Sequence, residues 1–257
     1  MDVINRIGNF LRKKHLTWKL NTYQHLYTYQ SINVKYLFVP KKTSKVLVVV
    51  FSGMSPKGAV YNYIDVLNDC PHNRLYILDD FGDNRLGCYY IGTNGQNQME
   101  CAVNALLNQI IHEYDILQTI FCGSSRGGYA ALNFGLEQSN SIIIAGAPQY
   151  YLGYYLSHRK SSELMNIVMG TDCTPSEIED LDAKIYRKIV GFRNEYRGKI
   201  YLHFSDKEHT YHEHIQHLLS DLDSCHYDYV EDRMSYLQHD DVAIYFPQYL
   251  KKIISEL

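Results

Sequence analysis

The sequence Ile-Phe-Cys-Gly-Ser-Ser-Arg-Gly-Gly-Tyr-Ala-Ala-Leu at residues 120–132 contains a G-x-S-x-G pattern centred on Ser125. An apolar run at residues 119–122 precedes the pattern, and the small and apolar residues 128–134 follow it. This order predicts a strand, a sharp turn and a helix, which is the setting that displays a serine nucleophile. Gly123 and Gly127 would let neighbouring backbone approach without a Cβ in the way. Ser125 is therefore the candidate nucleophile, and the alternative is an ordinary strand-to-helix turn.

Length and composition indicate a single α/β domain over residues 1–257. A chain of 257 residues is the size of one large α/β domain. The net charge of −3 gives no sign of nucleic-acid binding. None of the six cysteines forms a C-x-x-C pair, which predicts reduced thiols and a cytoplasmic protein without a metal site. No cofactor is expected.

Residues 1–15 lack the long apolar segment of a signal peptide, and the chain holds no apolar run long enough to span a membrane. Val3, Ile7, Phe10 and Leu11 share a helical face, and three basic residues follow at 12–14. This pattern predicts a helix that either docks on the domain or touches an anionic membrane surface.

Hydrophobic periodicity predicts strands that alternate with helices, and hence a mostly parallel eight-stranded sheet with helices on both faces. The predicted strands are residues 23–29, 34–39, 45–51, 74–78, 119–122, 141–145, 199–204 and 226–230. The predicted helices are residues 59–67, 99–111, 128–134, 211–222 and a last one from Asp241, broken or kinked near Pro247. Residues 81–96 are expected to form a long loop, and residues 150–198 a helical cap insertion.

A serine hydroxyl needs a base within hydrogen-bond reach, and the base needs an orienting carboxylate. His239 follows the last predicted strand and precedes the closing helix, which makes it the candidate base. Asp206 and Glu208 both follow the strand at 199–204. The register of the strand end favours Glu208 as the acid and leaves Asp206 as a turn residue.

The oxyanion of an acyl-transfer intermediate needs two backbone N–H donors. One is expected from Arg126, the residue after the nucleophile, and the other from Met54 in the loop at 52–58. Whether the side chain of Arg126 forms a structural salt bridge or takes part in the chemistry stays open.

Two further clusters of residues, one of histidines and one of tyrosines, could form a binding site. Histidines at 209, 212, 214 and 217 lack the H-E-x-x-H spacing of a zinc site, so a solvated histidine-rich helix is favoured. Two tyrosine-rich segments follow predicted strand ends, where open α/β sheets bind ligands: the loop with Tyr89 and Tyr90, and the segment with Tyr150, Tyr151, Tyr154 and Tyr155. They are candidates to line a sugar-binding cleft, and the alternative is that they pack the cap onto the sheet.

These motifs together resemble the α/β-hydrolase superfamily from residue 23 to the end of the chain. Residues 50–54, 78–81 and 123–128, with a glutamate after the seventh strand, resemble a bacterial branch of it. That branch contains the hydrolase-like component of the accessory Sec system and capsular-polysaccharide biosynthesis proteins. The chain lacks the long additional region of the accessory Sec protein.

The resemblance implies a carbohydrate-related acyl group as substrate and glycan-assembly proteins as possible partners. A serine esterase acting on a carbohydrate O-acyl or O-acetyl group is the first functional hypothesis. An acyltransferase with a sugar hydroxyl as acceptor is the second, and a non-catalytic scaffold in the same pathway is the third.

Overall fold

A computed structural model describes residue 20 and residues 22–55, 58–159 and 162–257. The predicted helix over Val3, Ile7, Phe10 and Leu11 lies outside these residues, and the assignment of the whole chain to one domain stays a prediction.

The strands form one eight-stranded sheet in the order β1-β2-β4-β3-β5-β6-β7-β8. The two pairings of β2 are antiparallel and the other pairings are parallel, which confirms the predicted architecture. The strands are β1 Gln24–Tyr29, β2 Ile32–Val39, β3 Val46–Phe51, β4 Asn73–Leu78, β5 Gln118–Ser124, β6 Ile142–Gly146, β7 Lys199–Ser205 and β8 Tyr229–Met234.

Four of the five predicted helices are present, and three further helices lie in the predicted insertion between β6 and β7. They are α1 Gln98–Glu113, α2 Arg126–Gly135, α3 Leu152–Arg159, α4 Ser162–Met169, α5 Pro175–Phe192, α6 Gln216–Ser224 and α7 Val242–Glu256. A π-helical turn, Tyr211–Ile215, leads into α6, and a 3₁₀ turn, His239–Asp241, leads into α7.

Apolar side chains bury both faces of the sheet. Val49 and Phe51 of β3 point to a core completed by α1, α2 and the helices after β6, while Val48 and Val50 point to a core completed by α7. Alternate residues of one strand thus enter different cores, as expected for a strand covered on both sides. Because β3 and β5 run parallel and in register, their carboxyl ends lie side by side at one edge of the sheet.

Three predicted elements need correction. Residues 59–67 form turns rather than a helix, because Gly58 and Tyr63 have positive φ, although Ile64 and Leu67 are buried as their spacing suggested. The last strand is Tyr229–Met234, not 226–230. It is an edge strand with exposed, charged residues, so its sequence resembles a loop. Finally, α7 continues through Pro247, so of the predicted break or kink the break is absent.

The segment between β6 and β7 carries α3, α4 and α5, so the predicted insertion at 150–198 is helical. Its longest helix, α5, begins with a capping box in which Thr174 and Glu177 satisfy each other's backbone N–H groups. Its buried residues Leu181, Ile185 and Ile189 recur at helical spacing and join the larger core. That these helices cover the candidate site stays a prediction.

Candidate active site

Ser125 occupies a strained turn between β5 and α2. Its φ of 52° is in the left-handed region, which is unfavourable for a residue with a Cβ. Its N–H donates to the carbonyl oxygen of Gly146 at 2.8 Å, which ties the turn to the neighbouring strand. A Cβ on Gly127 would lie 2.4 Å from the carbonyl oxygen of Phe51, and one on Gly123 would meet the backbone of Gly127. Only glycine allows this close approach.

His239 and Glu208 complete a hydrogen-bonded chain from Ser125. The His239 Nε2 atom lies 2.9 Å from Ser125 Oγ, and its Nδ1 atom lies 3.1 Å from Glu208 Oε2. Glu208 follows β7, and His239 begins the 3₁₀ turn before α7, so three separate loops meet at the carboxyl edge of the sheet. An ionised carboxylate only accepts hydrogen bonds, so Nδ1 carries the hydrogen and Nε2 is free to accept from the serine hydroxyl.

The environment of Glu208 favours its ionised form. Burial raises the pKa of this carboxyl, but hydrogen bonds from His239 and Thr210, together with the charges of His239 and His209, outweigh burial and lower the pKa below its ordinary value. Asp206 lies apart from the imidazole. Its carboxylate is 3.8 Å from Lys207 Nζ, and its N–H donates to Met234. The structure therefore brings Glu208, and not Asp206, to His239.

Gln149 also contacts the serine, a contact that no sequence motif predicted. Its Nε2 atom donates to Ser125 Oγ at 3.2 Å, and the residue is fully buried. Gln149 follows β6, the strand beside β5, so its place at the carboxyl edge was the one available signal. The serine oxygen thus lies between a donor, Gln149, and an acceptor, His239.

The loop after β3 lies where the second oxyanion donor was expected. Gly53 N–H donates to Asn62 Oδ1 at 2.8 Å, and Gly53 carbonyl oxygen accepts from Arg126 Nη2 at 2.9 Å. In a trans peptide the N–H points opposite to the carbonyl, so the Met54 N–H points away from the Arg126 guanidinium. Within the described part of the chain, no group accepts from the N–H of Met54 or Arg126. Both remain available as donors.

The Arg126 side chain forms a buried ion pair. Its Nη1 atom lies 3.5 Å from Asp79 Oδ2 and donates to the carbonyl oxygen of Leu86 at 2.6 Å. Asp79 in turn accepts from the N–H groups of Cys88 and Tyr90. The guanidinium therefore forms a salt bridge and joins the loop after β4 to the loop after β3.

A cleft of about 460 Å³ opens beside these groups. Its lining includes Met54 and Arg126, and also Asp240, the neighbour of His239. Arg85, whose side chain is exposed, also lines the cleft. The volume is in the range of small-molecule sites, so this cleft is the candidate entrance for an acyl ester.

The predicted tyrosine cluster divides into two parts. Tyr89 and Tyr90 are fully buried, and the Tyr90 hydroxyl contacts Ser52 and Ile77. Since neither ring has an exposed face, their expected role in stacking on a sugar is corrected to packing. Tyr155 is also buried and packs edge-on against Tyr89. Tyr154 is partly exposed and lines a separate cavity.

The histidine cluster is less solvated than expected. His212 and His217 are exposed, but His214 is fully buried and accepts from the Tyr151 N–H at 3.3 Å. Burial lowers the pKa of His214 to about 4. Among the described residues, no group of three or more His, Cys, Asp or Glu side chains could hold a metal ion. No helix in those residues is long and apolar enough to cross a bilayer.

The chain matches no protein-family model and no curated protein sequence. Its fold is similar to solved structures. The capsule O-acetyltransferase of Neisseria meningitidis serogroup A has a TM-score of 0.67 and 21% identity over 89% of this chain and 96% of that one. A chain of the glycosylation-associated Gap123 complex from Streptococcus agalactiae has a TM-score of 0.71 and 17% identity over 91% and 46%.

FphF, a fluorophosphonate-binding serine hydrolase of Staphylococcus aureus, has a TM-score of 0.63 and 13% identity over 90% of this chain and 96% of that one. At these identities the similarity establishes the fold alone. Together with the sheet order and the turn at Ser125, it shows that this chain has the α/β-hydrolase fold, as the resemblance of its motifs implied.

Proposed function

We propose that this chain is a serine enzyme that acts on an acyl ester of a carbohydrate, such as an O-acetyl group, through an acyl-enzyme on Ser125. One observation carries the proposal, namely the hydrogen-bonded chain from Ser125 through His239 to Glu208. A protein that only binds needs no base within 2.9 Å of a serine hydroxyl. The buried, ionised Glu208 gives the imidazole a fixed tautomer and orientation.

In the proposed reaction Ser125 Oγ attacks the ester carbonyl carbon while His239 Nε2 takes the hydroxyl proton. The N–H groups of Met54 and Arg126 hold the oxyanion of the tetrahedral intermediate. When the intermediate collapses, the C–O bond of the ester breaks and the departing alcohol takes the proton from His239. Attack by water or by a second alcohol then releases the acyl group and returns the proton to Ser125.

Transfer to a sugar hydroxyl is the second candidate, because the capsule O-acetyltransferase shares the fold over most of both chains. A related structure of that protein contains coenzyme A, so an acyl thioester is a donor to test here. Partner proteins of glycan assembly and a cytoplasmic location belong to the same proposal. All six cysteines are free thiols, which supports the location.

The test supplies p-nitrophenyl acetate or acetyl-coenzyme A as donor, with and without a panel of saccharides as acceptors. Release of p-nitrophenol or free thiol measures acyl-enzyme formation, and mass spectrometry of the saccharides measures transfer. We expect wild-type turnover that falls by about 10⁶-fold in Ser125→Ala. Acetylated saccharide would identify a transferase, and acetate alone would identify a hydrolase. Equal turnover by folded Ser125→Ala would overturn the proposal in favour of a scaffold.

A further inference from the structure

A second cavity, of about 560 Å³, lies between α3, α5 and α6. It shares no lining residue with the cleft at Met54 and Arg126. Four tyrosines form much of its wall, namely Tyr150, Tyr151, Tyr154 and Tyr186. The rings of Tyr150 and Tyr151 are 4.9 Å apart and tilted, and the Tyr186 side chain is about half exposed. Aromatic walls of this kind offer flat apolar faces with hydroxyl groups at their edges.

The other polar lining is acidic. Glu179, Asp182 and Asp221 line the cavity, and no lysine or arginine does. The two aspartates accept hydrogen bonds from uncharged groups. Asp182 accepts from the N–H of Tyr154 at 2.9 Å, and Asp221 accepts from the hydroxyl of Tyr150 at 2.5 Å.

The cations of the surrounding helices are engaged elsewhere. Lys184 pairs with Glu100, Arg187 with Asp180, and Arg159 with Glu213. Among the described residues, none of the three carboxylates in the cavity has a cation within ion-pair distance. No ion pair balances the negative charge there, so a ligand with an acidic group would be repelled.

Two residues of the cavity wall are close in sequence to a residue that contacts the nucleophile. Tyr150 and Tyr151 directly follow Gln149, whose amide donates to Ser125 Oγ. Consecutive Cα atoms lie about 3.8 Å apart, so Tyr150 and Tyr151 lie close to the residue that contacts the nucleophile.

We propose that this cavity binds a saccharide unit without acidic groups, at a site separate from the cleft at Met54 and Arg126. Tyr150 is fully buried, so the partly exposed rings of Tyr151, Tyr154 and Tyr186 pack on the C–H faces of the sugar ring. The carboxylates accept hydrogen bonds from its hydroxyls. The acidic lining selects against phosphorylated sugars and uronic acids. The assignment rests on the proposed function in that the substrate is a glycan.

Binding is measured by calorimetry and saturation-transfer NMR on the Ser125→Ala protein, so that no turnover occurs. The uncharged probes are cellotriose, maltotriose and chitotriose, the acidic probe is trigalacturonate, and tetramethylammonium is a cation without a sugar ring. Tyr186→Ala removes an exposed wall residue, and Glu179→Gln removes one exposed charge. Tyr245→Ala is the matched control, because Tyr245 is 41% exposed and Tyr186 is 45% exposed.

We expect at least one uncharged trisaccharide to bind and trigalacturonate not to bind. Tyr186→Ala should weaken that binding by about tenfold and Tyr245→Ala should not change it. Glu179→Gln should raise the affinity for trigalacturonate relative to the uncharged probe. The inference is overturned if no uncharged trisaccharide binds, if trigalacturonate binds equally well, or if tetramethylammonium alone binds.

The two proposals fail separately. Absence of saccharide binding in a protein whose Ser125 still reacts with a fluorophosphonate would overturn only the saccharide site. Saccharide binding by a protein whose Ser125 does not react would overturn only the proposed chemistry.

Discussion

The guanidinium of Arg126 donates to the carbonyl oxygen of Gly53 at 2.9 Å, and this contact sets the orientation of the peptide that carries the Met54 N–H. The guanidinium is itself fixed by Asp79 and by the Leu86 carbonyl. A Cβ on Gly87 would lie 2.0 Å from Arg126 Nη1, so this packing leaves no room for a side chain there. Arg126 thus has two proposed roles. Its N–H is one oxyanion donor, and its side chain positions the other donor, the Met54 N–H.

Arg126→Lys separates these roles, because it keeps a backbone N–H and a positive charge but loses the forked contact to Gly53 and Leu86. We expect kcat for p-nitrophenyl acetate to fall by about 10²-fold with a smaller change in KM, since loss of one oxyanion donor costs about that much. Arg187→Lys, at an exposed ion pair, is the control. A lower melting temperature with unchanged kcat would show that the side chain only stabilises the fold.

Glu208→Gln should reduce turnover far more than Asp206→Asn. The neutral amide cannot stabilise the imidazolium as a carboxylate does, and its NH₂ group can favour the wrong tautomer of His239. Loss of a triad carboxylate costs up to about 10⁴-fold in kcat. Asp206 has no contact with the imidazole, so its variant should retain most of the activity. The kcat of both variants on the same ester measures the difference. A larger loss in Asp206→Asn would contradict the assignment of the acid.

His214 should make the protein less stable in mild acid. Burial is the main cause that lowers its pKa from 6.5 to about 4, against the opposing charge of Glu213. Between these two pH values the unfolded chain binds more protons than the folded one, so stability falls as the pH falls. The shift corresponds to about 3 kcal/mol of unfolding free energy over that range.

Urea unfolding from pH 7 to pH 4 measures this effect. His214→Gln should flatten the pH dependence of the unfolding free energy, whereas His212→Gln, at an exposed position in the same turn, should leave it as in the wild type. If the unfolding free energies of the wild type and both variants change with pH in the same way, His214 is not the cause of the pH dependence.

Local patterns predicted the parts of the site that local geometry determines. The turn at Ser125 was predictable because an apolar strand, two glycines and a small-residue helix adjoin one another in the sequence. Glu208 and His239 were predictable from the order of elements, since each follows a strand whose end lies at the same edge of the sheet. The structure places both where that order requires.

The rest depends on tertiary contacts that no short pattern encodes. Gln149 contacts Ser125 only because β6 pairs with β5 in one register. The pairing of Arg126 with Asp79 joins residues on two different loops. Tyr90 looked like a ligand-facing residue in a long loop, but its hydroxyl satisfies the backbone of β3 and β4 inside the core.

The most direct test of the central claim is the site of labelling by a fluorophosphonate, located by mass spectrometry of the digested protein. Ser124 and Ser125 are adjacent, and Ser124 Oγ instead contacts the Tyr63 hydroxyl at 2.5 Å, so the pair provides its own control. We expect one adduct, on Ser125, which persists in Ser124→Ala and disappears in Ser125→Ala and His239→Ala. No adduct on the folded wild-type protein, or an adduct on Ser124, would contradict this expectation.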